Sequence, residues 1–226
     1  MTIQPVTKDR LAKMKEPSVD ENARRFIEEY DLVWNPNKMC YDCDGDVRVS
    51  KDIVIEGKLK IRFGKVGGYF DCNDNELTTL EGAPQKVGKH FLCERNKLTS
   101  LEGVPQEIGK KFNCSYNELT TLEGAPQKVG GDFDCSRNEL TTLEGAPNEV
   151  GGYFDCSHNK LTTLEGAPKK VGGDFYCRYN ELTSVEGAPK EVGGDFYCRR
   201  NKLTTLEGAP HMAGRIIDCN LYLLYK

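Results

Sequence analysis

The sequence has no apolar run that approaches the roughly 20 residues needed to cross a bilayer. Its first residues also lack the apolar core of a signal peptide, so we expect a cytoplasmic protein that does not enter a membrane. The 31 basic and 35 acidic residues leave a formal net charge of −4, with no general attraction to nucleic acid or to an anionic membrane. Any partner must therefore be recognised locally.

Residues that commonly carry catalysis are also scarce. The only histidines are His90, His158 and His211, and no glycine-rich phosphate loop leads into a helix. His158 follows Asp155 closely in sequence, which is a pairing expected by chance. We therefore predict that the protein is not an enzyme, has no catalytic residue and uses no cofactor.

What the sequence does have is internal repetition. Residues 66–212 form seven units of 21 residues, of which residues 171–191, VGGDFYCRYNELTSVEGAPKE, are a clear example. One position of the unit is always cysteine: Cys72, Cys93, Cys114, Cys135, Cys156, Cys177, Cys198 and, after the last unit, Cys219. Another is always asparagine: Asn75, Asn96, Asn117, Asn138, Asn159, Asn180 and Asn201. Such a period predicts a solenoid.

Each unit divides into a strand and a return segment. The pattern F-x-C alternates apolar and variable residues, which predicts a short strand with Phe and Cys on one face. The following N-x-L-T-T-L-E-G-A-P holds Gly and Pro at fixed places and is too short for a long helix. We therefore expect a parallel sheet of about eight short strands with an extended, helix-poor return side.

The residues F-x-C-x-x-N-x-L-T-x-L resemble the signature of leucine-rich repeats of the short bacterial type. The strings L-T-T-L-E-G-A-P and V-G-G-D-F-Y-C also closely resemble uncharacterised repeat proteins of large tailed bacteriophages. The resemblance covers about two thirds of the chain and implies a leucine-rich-repeat solenoid in which the repeated asparagines form an internal hydrogen-bonded ladder. It also implies a phage-encoded module that binds a host protein, such as an inhibitor of host immunity. The alternative is a structural or assembly component of the virion.

The regions outside the units are interpreted as ends of the solenoid. In residues 1–45, the capping-box pattern of Ser18 to Glu21 predicts a helix over about residues 19–31 that caps the first coil. Residues 46–65 resemble a degenerate first repeat, with Val47 and Val49 in the places of Phe and Cys. Residues 213–226 are predicted to form a C-terminal cap strand. Their apolar tail, residues 221–225, either covers the last coil or joins two copies of the chain in a homodimer.

The ten cysteines raise the question of disulfides or metal. Eight of them recur in register, so pairing any two would strain the ladder, and we expect reduced core residues. Cys40 and Cys43 form a C-x-x-C without the second pair or the histidines of a structural zinc site. Asp42, Asp44 and Asp46 do not match a calcium loop, so we predict a turn there and no metal site.

Two charged columns mostly alternate in sign from unit to unit, which favours correct stacking of the coils. The residue after each repeated asparagine belongs to the first column: Glu76, Lys97, Glu118, Glu139, Lys160, Glu181 and Lys202. The second column comprises Lys86, Glu107, Lys128, Glu149, Lys170 and Glu191. A third column is glutamate throughout, and its role is not explained by the sequence: Glu81, Glu102, Glu123, Glu144, Glu165, Glu186 and Glu207.

Four columns vary freely, and variation on one exposed face of a fixed scaffold is typical of a binding surface. The position before Phe reads Tyr69, His90, Lys111, Asp132, Tyr153, Asp174, Asp195 and Ile216. The position between Phe and Cys reads Asp71, Leu92, Asn113, Asp134, Asp155, Tyr176, Tyr197 and Asp218. The two positions after Cys read Asn73, Glu94, Ser115, Ser136, Ser157, Arg178, Arg199 and Asn220, then Asp74, Arg95, Tyr116, Arg137, His158, Tyr179 and Arg200. Neutral drift on a solvated face is the alternative interpretation.

Tyrosine and arginine concentrate near the end of this face, and both are enriched at binding hot spots. The predicted partner-binding residues are Tyr176, Arg178, Tyr179, Tyr197, Arg199, Arg200, Asp174, Asp195, His158 and Asp155. An acidic or mixed protein surface is the expected partner. Single-stranded nucleic acid would also stack on Tyr and Arg, but the interspersed aspartates would repel its phosphates.

Overall fold

The computed structural model describes residues 15–217 and shows a β-solenoid in which each 21-residue unit makes one coil. Sheet A contains β1 (Val33–Asn35), β2 (Cys40–Cys43), β6 (Phe63–Val66), β8 (Lys86–Val87), β10 (Glu107–Ile108), β12 (Lys128–Val129), β14 (Glu149–Val150), β16 (Lys170–Val171) and β18 (Glu191–Val192). Sheet B contains β3 (Val47–Arg48), β7 (Phe70–Asp71), β9 (Phe91–Leu92), β11 (Phe112–Asn113), β13 (Phe133–Asp134), β15 (Phe154–Asp155), β17 (Phe175–Tyr176), β19 (Phe196–Tyr197) and β20 (Ile216–Ile217). Apart from the antiparallel pair β1–β2, neighbouring strands in these sheets are parallel.

The remaining elements precede the regular coils. A helix, α1 (Glu21–Glu29), is followed after β3 by a short 3₁₀ turn (Lys51–Ile53) and a small hairpin of β4 (Val54–Ile55) and β5 (Lys58–Leu59). Residues 15–217 contain no helix that is long and apolar enough to span a bilayer.

Sheet B is the sheet that the F-x-C pattern predicts, with nine strands in the described residues. Sheet A was not predicted. Its regular strands are two residues long, with one buried and one exposed side chain, such as Val129 and Lys128. The two sheets meet at a corner made by the glycines that follow each sheet A strand, so every coil turns from sheet A directly into sheet B.

The first corner glycine is required by close packing of neighbouring coils. A Cβ atom added to Gly130 would lie 2.3 Å from the carbonyl oxygen of Gly109, the equivalent glycine of the preceding coil. The next position is less crowded, since a Cβ on Gly131 would lie 3.1 Å from the nearest backbone atom. Two coils accordingly carry Lys89 and Lys110 at that second position.

The core is built from columns of identical residues. The phenylalanines of sheet B are fully buried and stack along the solenoid, with ring centroids 5.2 Å apart between Phe133 and Phe154 and 5.3 Å apart between Phe175 and Phe196. Burying one such side chain contributes about 1.5 to 3 kcal/mol. Because each ring packs on the next, the stability of a coil depends on its neighbours.

The cysteine column is part of this core. Cys72, Cys93, Cys114, Cys135 and Cys156 are fully buried, and each of their thiols donates to a backbone carbonyl of the next coil, as from Cys135 Sγ to Asp155 O at 3.3 Å. Burial raises the pKa of these five thiols well above the ordinary value. They are therefore protonated structural groups at neutral pH. Cys219 lies outside the described residues.

The asparagine column forms the ladder that the resemblance implies. Asn138 Nδ2 donates to Cys114 O of the preceding coil at 3.0 Å and to Cys135 O of its own coil at 3.1 Å. Its Oδ1 atom accepts the backbone N–H of Leu119 at 3.1 Å. One buried amide thus satisfies backbone groups of two coils where the chain leaves sheet B, and the same bonds recur at Asn117 and Asn159.

The N-terminal part contains a helix whose bounds differ from the predicted ones. The helix is shorter than the predicted 19–31, and its first turn is capped by Asp20, which accepts the Ala23 N–H at 2.8 Å. Phe26 packs edge-on against Phe63 at 6.3 Å between ring centroids. Val47 pairs with Phe70, and both Val47 and Val49 are buried.

The last coil departs from the 21-residue step. That step places Ile216 in the outward column before Phe, but in the structure Ile216 pairs with Phe196 and Ile217 with Tyr197. The corner segment 210–214 is one residue shorter than the equivalent segment 189–194, and a one-residue slip exchanges inward and outward positions. The outward place is taken by Arg215, which binds Asp195 at 2.7 Å. Asp218, Asn220 and the tail at residues 221–225 lie outside the described residues.

Ion pairs join neighbouring coils along both charged columns, as their alternating signs predict. In the column after the asparagines, Lys97 contacts Glu76 at 2.9 Å and Lys202 contacts Glu181 at 2.9 Å. The column on sheet A includes a 2.6 Å pair between Lys128 and Glu107. The all-glutamate column is exposed along its length, and the backbone N–H groups of its members donate to the Thr or Ser two residues earlier, as from Glu144 to Thr142 Oγ1 at 3.1 Å.

Candidate functional site

The predicted site lies on the outward face of sheet B and in the turn that follows each strand. Phe175 and Cys177 are fully buried. Tyr176, which lies between them, and Arg178, which follows Cys177, are half-exposed. The next coil repeats this alternation, with Tyr197 half-exposed and Arg199 fully exposed. The strands therefore present these four side chains to solvent, as their alternation with the core predicts.

Tyr176 and Tyr197 form the centre of the site. Because β17 and β19 pair in register, the two rings stack with centroids 4.7 Å apart and an interplanar angle of 16°. Tyr153 of the preceding coil meets Tyr176 edge-on at 6.1 Å. The face thus carries three adjacent aromatic side chains whose positions are fixed by the sheet.

Aspartates hold the hydroxyl ends of the stacked tyrosines. Tyr176 donates to Asp174 at 2.6 Å, and Tyr197 donates to Asp195 at 3.3 Å. Asp174 also accepts the backbone N–H of Asp195 at 2.8 Å, while Arg215 holds the pKa of the Asp195 carboxyl below its ordinary value. Burial and the Asp174 carboxylate raise the pKa of Tyr176, so its hydroxyl remains protonated. These two aspartates fix the tyrosines, and the carboxylates are largely occupied within the protein.

Arg178 extends across the tyrosine pair. Its guanidinium carbon lies 4.9 Å from the Tyr176 ring centroid and 5.7 Å from that of Tyr197, within range of a cation–π interaction. The Nε atom of Arg178 is buried and has no hydrogen-bond partner. Within residues 15–217, Arg178, Arg199 and Arg200 form no ion pair, whereas Arg48 and Arg215 on the same face do. Arg178 therefore contacts the aromatic pair, and Arg199 and Arg200 follow β19 in the same coil as Tyr197.

Tyr179, His158 and Arg200 occupy the turn beside the strands. The rings of His158 and Tyr179 stack with centroids 4.2 Å apart and an angle of 11°. Burial, Arg137 and Arg178 lower the pKa of His158, so the imidazole is neutral at pH 7. Tyr179 is 43 % exposed, among the most exposed large apolar side chains of the described region.

Asp155 lies at the edge of the predicted site and does not pair with His158. Its Oδ1 atom accepts the backbone N–H of Ser157 at 2.8 Å, and burial raises the pKa of its carboxyl. Its strand neighbour is Asp134, a like charge directly opposite. The structure thus gathers the predicted residues of three consecutive coils on one surface, where Asp155 ends β15 and holds the turn that follows it.

Sequence reasoning did not single out several contacts on this face. Lys111 Nζ donates to the hydroxyl of Tyr153 at 2.8 Å, although the two residues are two coils apart. Tyr116 lies between Arg95 and Arg137, with guanidinium carbons 5.1 Å and 5.0 Å from its ring centroid. These residues stand in the variable columns, but only stacking in three dimensions shows which of them meet.

The described residues contain no group of three or more His, Cys, Asp or Glu side chains arranged to hold a metal ion. Cys40 and Cys43 are both buried in β2, where the Cys43 thiol donates to Tyr30 O at 3.4 Å. Burial raises the pKa of the Cys40 thiol. In the part of the chain that the structure describes, this C-x-x-C therefore belongs to the packing between β2 and the N-terminal segment.

The fold and this face define the class as a parallel β-solenoid with a variable, aromatic outer surface. No protein-family model, curated protein or solved structure matches the chain.

Proposed function

We propose that the protein is a non-enzymatic binding module that recognises another protein through the Tyr/Arg cluster, defined as Tyr176, Arg178, Tyr179, Tyr197, Arg199 and Arg200. The observation that carries the proposal is the arrangement of Arg178 over two stacked tyrosines, with a buried Nε that has no partner. A buried polar group without a hydrogen bond is costly, and a group of a bound partner is one way to supply the missing bond. A carboxylate of a bound protein would do so.

The rigidity of the cluster supports the same proposal. Stacking and the tyrosine–aspartate bonds fix the side chains before a partner arrives, so little conformational entropy is lost on binding. Tyrosine and arginine are also the residue types that most often dominate the binding energy of an interface. The resemblance to bacteriophage repeat proteins suggests a host protein as partner, bound as an inhibitor in the host cytoplasm.

We also propose that the coils are leucine-rich repeats and that α1 caps the first of them. The support for the repeat class is the F-x-C-x-x-N motif together with the asparagine ladder at its turn. The support for the cap is the contact of Phe26 with Phe63, which in turn packs against Phe70, the first ring of the phenylalanine column. An exposed first coil would otherwise present apolar residues to water.

The proposed function is tested by capture of a partner from cells of the natural host. The tagged wild-type chain should retain one host protein in stoichiometric amount, and Tyr197→Ala with Arg199→Ala should weaken its binding by about thirtyfold or more. The control is Lys169→Ala with Lys190→Ala, which alters exposed residues preceding β16 and β18 on sheet A. If the control loses the partner while the cluster variant keeps it, the proposed site is wrong.

A further inference from the structure

One column beside sheet B has a backbone conformation that its side chains do not favour. The residue before each ladder asparagine has a positive φ, from 52° at Arg95 to 62° at Arg200. Glycine, asparagine and aspartate adopt this left-handed region most readily. Only the first regular coil carries such a residue, Asp74. The later coils carry Arg95, Tyr116, Arg137, His158, Tyr179 and Arg200.

These six residues are here called the stacked rail, and five of them contact another member of the row. Arg95 and Arg137 lie on either side of the Tyr116 ring, and His158 stacks on Tyr179. The backbone N–H groups of the first five rail residues are also fixed, as from Arg137 to Ser157 O of the next coil at 3.0 Å. The rail is therefore an ordered row of planar side chains, and it presents Tyr116 with 43 % of its surface exposed.

The rail is also a basic stripe on an acidic protein. Within residues 15–217 its three arginines form no ion pair, and His158 is neutral because its pKa is lowered. The neighbouring column, two residues further along each coil, behaves differently. Its lysines Lys97, Lys160 and Lys202 each contact a glutamate of the preceding coil. Each of these two adjacent columns thus holds three basic side chains. Within residues 15–217, the lysines form ion pairs with carboxylates and the rail arginines do not.

We propose that the stacked rail binds an extended acidic segment of a protein along the solenoid axis, with carboxylates on Arg95, Arg137 and Arg200. The inference builds on the proposed function, since the rail shares Tyr179 and Arg200 with the Tyr/Arg cluster. Residues that strain the backbone are retained where they serve a function other than stability. Unpaired guanidinium groups are suited to carboxylates, and two of the three, those of Arg95 and Arg137, are held against the Tyr116 ring.

The spacing of the coils sets the length of the segment. Adjacent coils are about 4.8 Å apart, so Arg95 and Arg200, five coils apart, are separated by about 24 Å. An extended peptide advances about 3.3 Å per residue, so about seven residues span this distance. A peptide of ten glutamates is therefore long enough to reach all three arginines.

The test measures binding of a fluorescent deca-glutamate peptide to the full chain by anisotropy at low ionic strength. The rail variant Arg95→Asn, Arg137→Asn and Arg200→Asn should bind about tenfold more weakly or worse. The matched control Lys97→Asn, Lys160→Asn and Lys202→Asn removes the same charge and should stay within about twofold of wild type. Since asparagine adopts a positive φ readily, the rail variant should melt no lower than wild type.

Equal loss of peptide binding in the two variants would overturn the proposal, because it would mean that only net charge attracts the peptide. Tighter binding of a ten-nucleotide oligothymidylate than of the peptide would also overturn it, in favour of a nucleic-acid surface. The peptide measurement is independent of partner capture. Tyr197→Ala with Arg199→Ala keeps the three rail arginines and should retain the peptide, even if its capture result disproves the proposed function.

Discussion

The outer faces of the two sheets differ although the same coils build both. On sheet A the exposed column alternates lysine and glutamate, with contacts of 2.6 Å between Lys128 and Glu107 and 3.1 Å between Lys170 and Glu191. On sheet B the exposed columns hold Asp, Asn, Lys, Leu and Tyr without a pattern. Because the interior columns barely change, the backbone does not impose this difference. Sheet A shows what the scaffold needs on its surface, and sheet B shows where the scaffold leaves residues free.

The alternating charges on sheet A keep neighbouring coils in register but add little to the free energy of unfolding. Exposed ion pairs contribute about 0 to 1 kcal/mol each, but a coil paired out of step would bring like charges together. The outer face of sheet B lacks this charge complementarity, since two aspartates, Asp134 and Asp155, lie opposite each other on neighbouring strands. This comparison predicts that stability depends on the shared interior, and that changes to the outer face of sheet B alter binding alone.

The largest expected effect on the interior is alkaline unfolding. Five buried thiols have a raised pKa in the folded state, so their stabilisation is complete below the unfolded thiol pKa of about 8.5 and is lost as pH rises above it. Each thiol should lower the unfolding free energy by about 1 kcal/mol per pH unit once the unfolded thiol is ionised, and the five thiols act in the same direction. Urea unfolding under reducing conditions between pH 8 and about pH 10 measures this slope.

Cys135→Ala serves as the control for the slope. It removes one titrating thiol and should make the decline with pH shallower than in the wild type, whatever its effect at neutral pH. A free energy of unfolding that stays constant through this range would show that the thiols are not buried in the folded protein. Disulfides among these cysteines, detected by mass spectrometry after alkylation of the native protein, would contradict the assignment of a reduced cysteine column.

A smaller effect is expected from the asparagine ladder. Asn138→Ala removes bonds to Cys114 O, Cys135 O and the Leu119 N–H, and should lower the unfolding free energy by about 1 to 3 kcal/mol. Asn148→Ala, at an exposed position of the same unit, should change it by less than about 0.5 kcal/mol. Urea denaturation of both variants measures the difference. Equal losses would contradict the role assigned to the ladder.

Much of sheet B could be predicted from the sequence because its signal is strong. Phe and Cys recur seven times on one side of a two-residue alternation, and the asparagine marks the turn. The sequence contains no comparable signal for sheet A. Its strands are two residues long, and one buried valine beside one exposed lysine or glutamate is too short to show the alternation typical of a strand. The one-residue shift in register at Ile216 could not be predicted from the sequence either, because the consecutive residues Ile216 and Ile217 fit both registers.

The candidate site was predictable in composition but not in geometry. Variation between units pointed to Tyr176, Arg178 and Tyr197, and strand alternation placed them outward. The sequence did not indicate that Asp174 and Asp195 accept hydrogen bonds from the tyrosine hydroxyls. These aspartates therefore position the tyrosines, whereas the sequence had predicted that they contact the partner. Nor did it indicate the positive φ of the rail, since Arg and Tyr are not typical of that conformation.

The most direct test exchanges the cluster for residues that another coil already carries. Tyr176→Asn with Arg178→Ser and Tyr197→Asn with Arg199→Ser gives both coils the outward residues Asn113 and Ser115 of the third unit. Melting temperature and partner capture are then measured on the same preparation. We predict a melting temperature within about 4 °C of wild type and loss of the partner by at least thirtyfold. A variant that retains the partner, or one that no longer folds, would contradict the separation of scaffold and binding face.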